Sequence, residues 1–194
     1  MTKIGIFFGT FNPIHNGHLM LASYLSDNTF LKEVWFCPTP DSTFKEHKDG
    51  LLPFSVRKSL IMDSIRCHNK LWCTDIEKDL PSPHYTVDTL SALKKTYPHA
   101  VFYPILGADN IAQIQTFHDY MKLIHDYEII ALPREGYDTA DVEKKFPEAK
   151  ILHFTGFPTC NLSSSFIRKQ FAEGKSVSFY VPRGVADSLS LLSD

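Results

Sequence analysis

The chain has 194 residues, of which 43% are hydrophobic and 22% charged, with 20 basic and 22 acidic side chains for a formal net charge of −2. That balance is ordinary for a globule large enough to bury a continuous core, and it gives no general attraction to nucleic acid or a membrane surface, so any anion site has to be local. The start lacks a leader-peptide pattern, no apolar run reaches membrane-spanning length, and Cys37, Cys67, Cys73 and Cys160 contain no C-x-x-C pair, so the expectation is one cytoplasmic domain over 1–194 with reduced, mostly buried thiols.

An apolar run at 3–8 predicts a first strand. It leads through a glycine-bearing turn into a helix over 16–26. A strand at 34–38 follows, then a polar stretch over 39–52, long enough to cover a ligand. A helix over 53–67 begins at Pro53, which suits a first helical turn. A strand at 71–74 and a helix over 86–97, with Thr86 placed to cap it, come next. The second half repeats the alternation: strand 101–106, a helical pattern over 110–125 with room for a break, strand 128–132, helix 139–146, strand 150–154. Helices over 163–173 and 182–192 close the chain, and Gly174 stands where a left-handed residue ends the first of them. The strands are continuous apolar runs, as strands covered on both faces are. Alternation of such strands with helices predicts an α/β, doubly wound, Rossmann-like parallel sheet, whose ligands bind beyond the strand carboxyl ends.

The most informative segment is Gly9-Thr10-Phe11-Asn12-Pro13-Ile14-His15-Asn16-Gly17-His18. Strand, glycine turn and helix start, in that order, present backbone N–H groups and a positive helix end to phosphate. Two histidines three apart add imidazole donors that are less strongly hydrated than an ammonium. Taken alone, an H-x-x-H pair is more simply two surface residues; the strand, glycines and proline around it favour the phosphate reading. A second candidate clamp lies at Ser163-Ser164-Ser165-Phe166-Ile167-Arg168. One serine is explained by helix capping, while Ser164 and Arg168, four apart, share a face of the first turn with the helix N-terminus.

The first segment resembles the phosphate-binding signature of the nucleotidylyltransferase superfamily. Four further segments resemble motifs of the bacterial nicotinate-nucleotide adenylyltransferases: His84-Tyr85-Thr86-Val87-Asp88-Thr89-Leu90, Leu106-Gly107-Ala108-Asp109-Asn110, Pro133-Arg134-Glu135-Gly136-Tyr137 and Ser163–Arg168. The resemblance implies adenylyl transfer from ATP to nicotinate mononucleotide, with the two clamps holding the triphosphate. It assigns His15, His18 and Arg168 as catalytic donors. Gly9, Thr10, Phe11, Gly17, Gly107, Asp109, Ser164, Ser165 and Lys45 would contact ATP, and Thr86, Phe117 and Arg134 the mononucleotide. Asp109, closing a strand, can accept from ribose hydroxyls or cap the helix at 110. Arg134 suits a carboxylate, a phosphate or solvent. Mg²⁺ is expected with ATP, riding on phosphates and waters because no carboxylate cluster is legible.

The chain departs from the family pattern in places. Asn12 and Ser165 stand where Asp and Thr are usual, and Phe117 replaces a tryptophan that stacks on the pyridine ring, offering less area. The segment Pro40–Lys48 lacks the usual Pro-Pro-His-Lys and offers Lys45 or Lys48. Other acceptors within the superfamily (nicotinamide mononucleotide, phosphopantetheine) remain as alternatives, as does a nucleotide sensor without turnover. No Walker-type G-x-x-x-x-G-K-[ST] occurs.

Overall fold

The computed structural model describes residues 1–40 and 51–191. Six parallel strands form one sheet: β1 (Thr2–Gly9), β2 (Glu33–Pro38), β3 (Leu71–Cys73), β4 (Ala100–Gly107), β5 (Glu128–Leu132) and β6 (Lys150–Leu152). Their order, β3-β2-β1-β4-β5-β6, is that of a doubly wound sheet, and it reverses between β1 and β4. Ligands of such sheets bind at that reversal, which here lies beyond Gly9 and Gly107, the last residues of these two strands.

Strand periodicity separates two cores. In β1, Ile4 and Ile6 point to one face and Phe7 to the other; in β5, Ile129 and Ala131 oppose Ile130 and Leu132. The Phe7 face is covered by α1 (Asn16–Asn28), α2 (Phe54–Ile65), α7 (Ser164–Ala172) and α8 (Arg183–Leu191) through residues such as Leu25, Ile61, Ile167 and Val185. The Ile6 face is covered by α3 (Thr86–Thr96), α4 (Ala108–Ala112), α5 (Tyr120–Asp126) and α6 (Ala140–Lys145) through Leu90, Ile111, Leu123 and Val142. The central strands β1, β2, β4 and β5 are therefore covered on both sides, which is why they lack polar alternation, while the edge strands β3 and β6 are partly exposed.

The predicted helix over 110–125 divides into α4, a 3₁₀ turn at Ile114–Thr116 and α5. Phe117 is extended and Asp119 left-handed (φ 48°), so the chain cannot continue as one helix between them. Gly174 is left-handed (φ 70°) as expected, and the Lys175 N–H reaches back to the Gln170 carbonyl to close α7. The four cysteines carry no disulfide, but only Cys37 is fully buried, and Cys67 is exposed. Among the described residues no helix is long and apolar enough to cross a membrane. Lys45, and Lys48 with it, lies outside the described residues.

Candidate active site

The turn after β1 is built around Phe11. Its backbone is left-handed (φ 48°), which folds the ring back over Gly9, where an added Cβ would stand 3.0 Å from it. The ring is buried against Phe7, Phe36 and His18. Phe11 therefore serves the core with its side chain, and only its backbone is left to face a ligand. Asn12 is buried as well, and its Oδ1 accepts from the Leu52 N–H at 3.0 Å.

His15 is the N-cap of α1: its Nδ1 accepts from the His18 N–H at 3.3 Å, which places its proton on Nε2. The two imidazoles stack with centroids 3.6 Å apart, and His18 also packs edge-on against Phe7 and Phe11. At 3% exposure His15 is a buried residue, so the alternative of two surface histidines does not hold for it. Burial lowers its pKa from 6.5 to about 4, helped by the positive charge of Arg134. His18 is held well below 6.5 by burial first, then by His15 and Arg134. Both rings are therefore neutral at pH 7 in the ligand-free protein. Two of the early N–H groups of α1 are already engaged, Asn16 with the Tyr180 carbonyl and His18 with His15.

Gly17 is required by crowding. A Cβ there would stand 2.8 Å from Cys160 Sγ and 3.1 Å from His15 Nδ1. No motif placed Cys160 beside the histidines; its segment is tied in by Arg134, whose Nη1 donates to the Cys160 carbonyl at 3.4 Å.

At the neighbouring strand end, Gly107 caps α4, and Asp109 curls back so closely that a Cβ on Gly107 would collide with its carboxylate. Asp109 lies in the first turn of α4 and makes no side-chain cap, so the capping alternative is corrected: the helix begins at Ala108. Its Oδ1 is buried and without a hydrogen-bond partner among the described residues, as is His18 Nδ1. Arg134 Nε is 3.9 Å from that oxygen. The surface reading of Arg134 is thus replaced by one in which it lies beside Asp109 and its charge acts on both histidines.

The serine–arginine segment docks onto the first turn. Ser163 caps α7 by accepting from the Phe166 N–H. Ser164 Oγ donates to the Pro13 carbonyl at 2.9 Å, and Arg168 Nη1 to the Asn12 carbonyl at 2.7 Å, with its Nη2 on Ser165 Oγ. Ser164 and Arg168 thus hold the turn; the remaining donors of the guanidinium can still address an anion.

Thr86 is the first residue of α3, preceded by Tyr85 as N-cap, and no side-chain cap forms, so its capping role is corrected. Phe117, half-buried against the α3–α5 core, ends the 3₁₀ turn after α4. Tyr85 and His118, the neighbours of these two, stack at 4.0 Å and join the α3 start to the Phe117 loop. Sequence reasoning also missed Glu77, which is buried, accepts from Thr89 Oγ1 at 2.8 Å and has its pKa raised chiefly by burial. It missed Arg57 too, a fully buried arginine of α2. The signal was present: Arg57 precedes Leu60 and Ile61 on the apolar stripe of its helix.

A family model described as cytidylyltransferase-like matches residues 6–170. A protein of Porphyromonas gingivalis described as a probable nicotinate-nucleotide adenylyltransferase is 39% identical over 178 residues, 92% of this chain and 88% of its own length. One of Bacteroides fragilis with the same description is 37% identical, covering 93% and 87%. The nicotinic acid mononucleotide adenylyltransferase of Plasmodium falciparum shares the fold in two structures, at 22% identity. The complex with NaAD has a TM-score of 0.81 over 100% of this chain and 97% of that one; the complex with APC has 0.79 over 100% and 96%.

Proposed function

The chain belongs to the cytidylyltransferase-like family and, within it, to the nicotinate-nucleotide adenylyltransferases, and from that premise we propose how its residues carry the reaction. The enzyme joins the adenylyl group of ATP to nicotinate mononucleotide, giving nicotinate adenine dinucleotide and pyrophosphate. A phosphate oxygen of the mononucleotide attacks the α-phosphorus in line, the bond from that phosphorus to the bridging oxygen breaks, and the electron pair leaves with pyrophosphate. No covalent intermediate on the protein is needed, so the protein aligns the reactants and stabilises the developing charge.

The carrying observation is the stacked pair of neutral imidazoles at the start of α1, with Arg168 bonded to the Asn12 carbonyl of that turn and the charge of Arg134 acting on both rings. His15 Nε2–H and His18 are donors to the phosphoryl oxygens. A bound triphosphate favours the imidazolium form, so both rings gain positive character where negative charge accumulates. Arg168 and the turn's backbone neutralise the leaving pyrophosphate. Asp109 accepts from ribose hydroxyls, and Arg134 balances it while facing phosphate. The two buried orphan atoms, His18 Nδ1 and Asp109 Oδ1, gain partners when substrate enters. Mg²⁺ arrives as part of the MgATP substrate, on phosphate oxygens and water. Among the described residues no group of three His, Cys, Asp or Glu side chains is placed to hold an ion.

The acceptor ring lies between the start of α3 and the Phe117 face, its carboxylate taking the Thr86 hydroxyl and helix-start N–H groups. An amide NH₂ meeting those donors leaves a hydrogen bond unmade, which costs about 1–3 kcal/mol for each mismatch. Nicotinate mononucleotide should therefore exceed nicotinamide mononucleotide by roughly 10- to 10³-fold in kcat/KM. The test is turnover of MgATP with each mononucleotide, following pyrophosphate and dinucleotide. Turnover with phosphopantetheine alone, or nucleotide binding without product, would overturn the activity; equal kcat/KM for the two mononucleotides would overturn only the selection argument.

A further inference from the structure

Arg57 is 0% exposed, yet it lies on no ligand contact assigned above. Burying a guanidinium is costly unless its donors are met. Here the donors go to backbone carbonyls: Nε to Leu52 at 2.9 Å, Nη1 to Thr10 at 2.7 Å and to Thr39 at 2.9 Å, and Nη2 to Pro40 at 2.8 Å. These acceptors belong to three segments: the turn after β1, the end of β2, and the approach to α2. All lie at the carboxyl edge of the sheet, where the phosphate site is. Helix packing alone could be served by a leucine; a planar fork reaching three segments at once cannot.

We infer that Arg57 is a positioning residue for adenylyl transfer, acting through the turn at residues 10–14 and resting on the reaction proposed above. The Thr10–Phe11 and Pro13–Ile14 peptides are trans, so in each the C=O and the following N–H point opposite ways. Arg57 draws the Thr10 carbonyl to its side, which directs the Phe11 N–H away from α2. Ser164 does the same at Pro13 for the Ile14 N–H, and Arg168 holds the intervening Asn12 carbonyl. The Leu52 N–H to Asn12 Oδ1 bond ties the Arg57 side of this frame to the turn a second time. The turn is thus gripped through its carbonyls from α2 and α7, leaving N–H groups for the phosphates. Arg57 orients donors it does not itself supply.

Two measurements test this. Arg57→Lys keeps the charge but loses the fork. Assayed below its melting temperature, it should lose on the order of 10- to 100-fold in kcat, as small misplacements of catalytic groups do, while KM for nicotinate mononucleotide stays within about threefold. A folded variant with unchanged kcat and unchanged ATP affinity overturns the inference, as does one whose only change is in the mononucleotide KM. The second measurement needs no variant. In the unmodified protein, the NMR signal of the Arg57 Nε–H should shift on adding pyrophosphate and stay put on adding the mononucleotide alone; a signal indifferent to pyrophosphate overturns the inference even if Arg57→Lys fails to fold. Absence of turnover by the unmodified enzyme would count against adenylyl transfer, whereas normal turnover with an unaffected Arg57→Lys would count against Arg57 alone.

Discussion

Acidification in the absence of nucleotide should destabilise this protein through His15. Its pKa is about 4 in the fold against 6.5 in the unfolded chain, so between those values the unfolded state binds more protons. The contribution of the neutral ring is therefore fully present above pH 6.5 and is lost as the pH falls toward 4. Going from pH 7.5 to pH 5 protonates nearly all of the unfolded imidazole but little of the folded one, a loss of about 2 kcal/mol out of roughly 3 kcal/mol in all. For a chain of 194 residues this corresponds to a fall of about 4–8 °C in Tm. His18, lowered first by burial and then by His15 and Arg134, adds to the loss with the same sign. Glu77 opposes it, because a raised carboxyl pKa favours the fold as the pH drops, but that term is common to variant and parent. The comparison is with His15→Asn, which offers a side-chain oxygen to the same cap and does not titrate. Urea unfolding at pH 7.5 and 5.0, in buffer without phosphate, should show the fall shrinking by about 2 kcal/mol in the variant. Saturating ATP should shrink it in the parent too, since phosphate favours the protonated rings. Parallel pH profiles for the two proteins would refute the assignment of a buried, neutral His15.

His18→Ala should lower kcat by on the order of 10²-fold or more, as loss of a preorganised donor does, and stopped-time pyrophosphate release measures it. Because His18 packs edge-on against Phe7 and Phe11, the same change should also cost about 1–3 kcal/mol in urea unfolding; unchanged stability would contradict the packing. Gly17→Ala should push Cys160 Sγ and His15 Nδ1 apart from α1 and reduce both activity and Tm. Adding Cys160→Ala removes the nearer obstacle and should restore part of the Tm, and a strictly additive double variant would show that the 2.8 Å approach is not the cause.

The doubly wound sheet was legible because the strands are mostly continuous apolar runs and several helices carry boundary residues, such as Pro53 before α2, Ser163 before α7 and Gly174 after it. Those signals are local, and the boundaries agree within a few residues. Where prediction and structure part, a long-range or strained feature is responsible. The break allowed for within 110–125 spans Gln113 to Asp119, and the left-handed backbone of Asp119 that ends it is announced by no periodicity. Thr86 is not a cap because the chain enters α3 one residue earlier, through Tyr85, and that entry is fixed by stacking on His118, 33 positions away.

By itself the sequence determined the element order, the glycine turn at 9–18 between the first strand and helix, the serine–arginine segment that docks on it, and the family they resemble. These are properties of residue types at short spacings. Only the tertiary structure decided what the residues do to one another. It buries His15 and keeps both imidazoles neutral, and it brings Arg134 from the end of β5 to the first turn. It occupies Ser164 and Arg168 with carbonyls of that turn, and it places Arg57 beneath it. The physical reason is one of range: burial, Coulomb coupling and the satisfaction of backbone carbonyls depend on which segments meet, and here the partners lie between 40 and more than 150 residues apart along the chain.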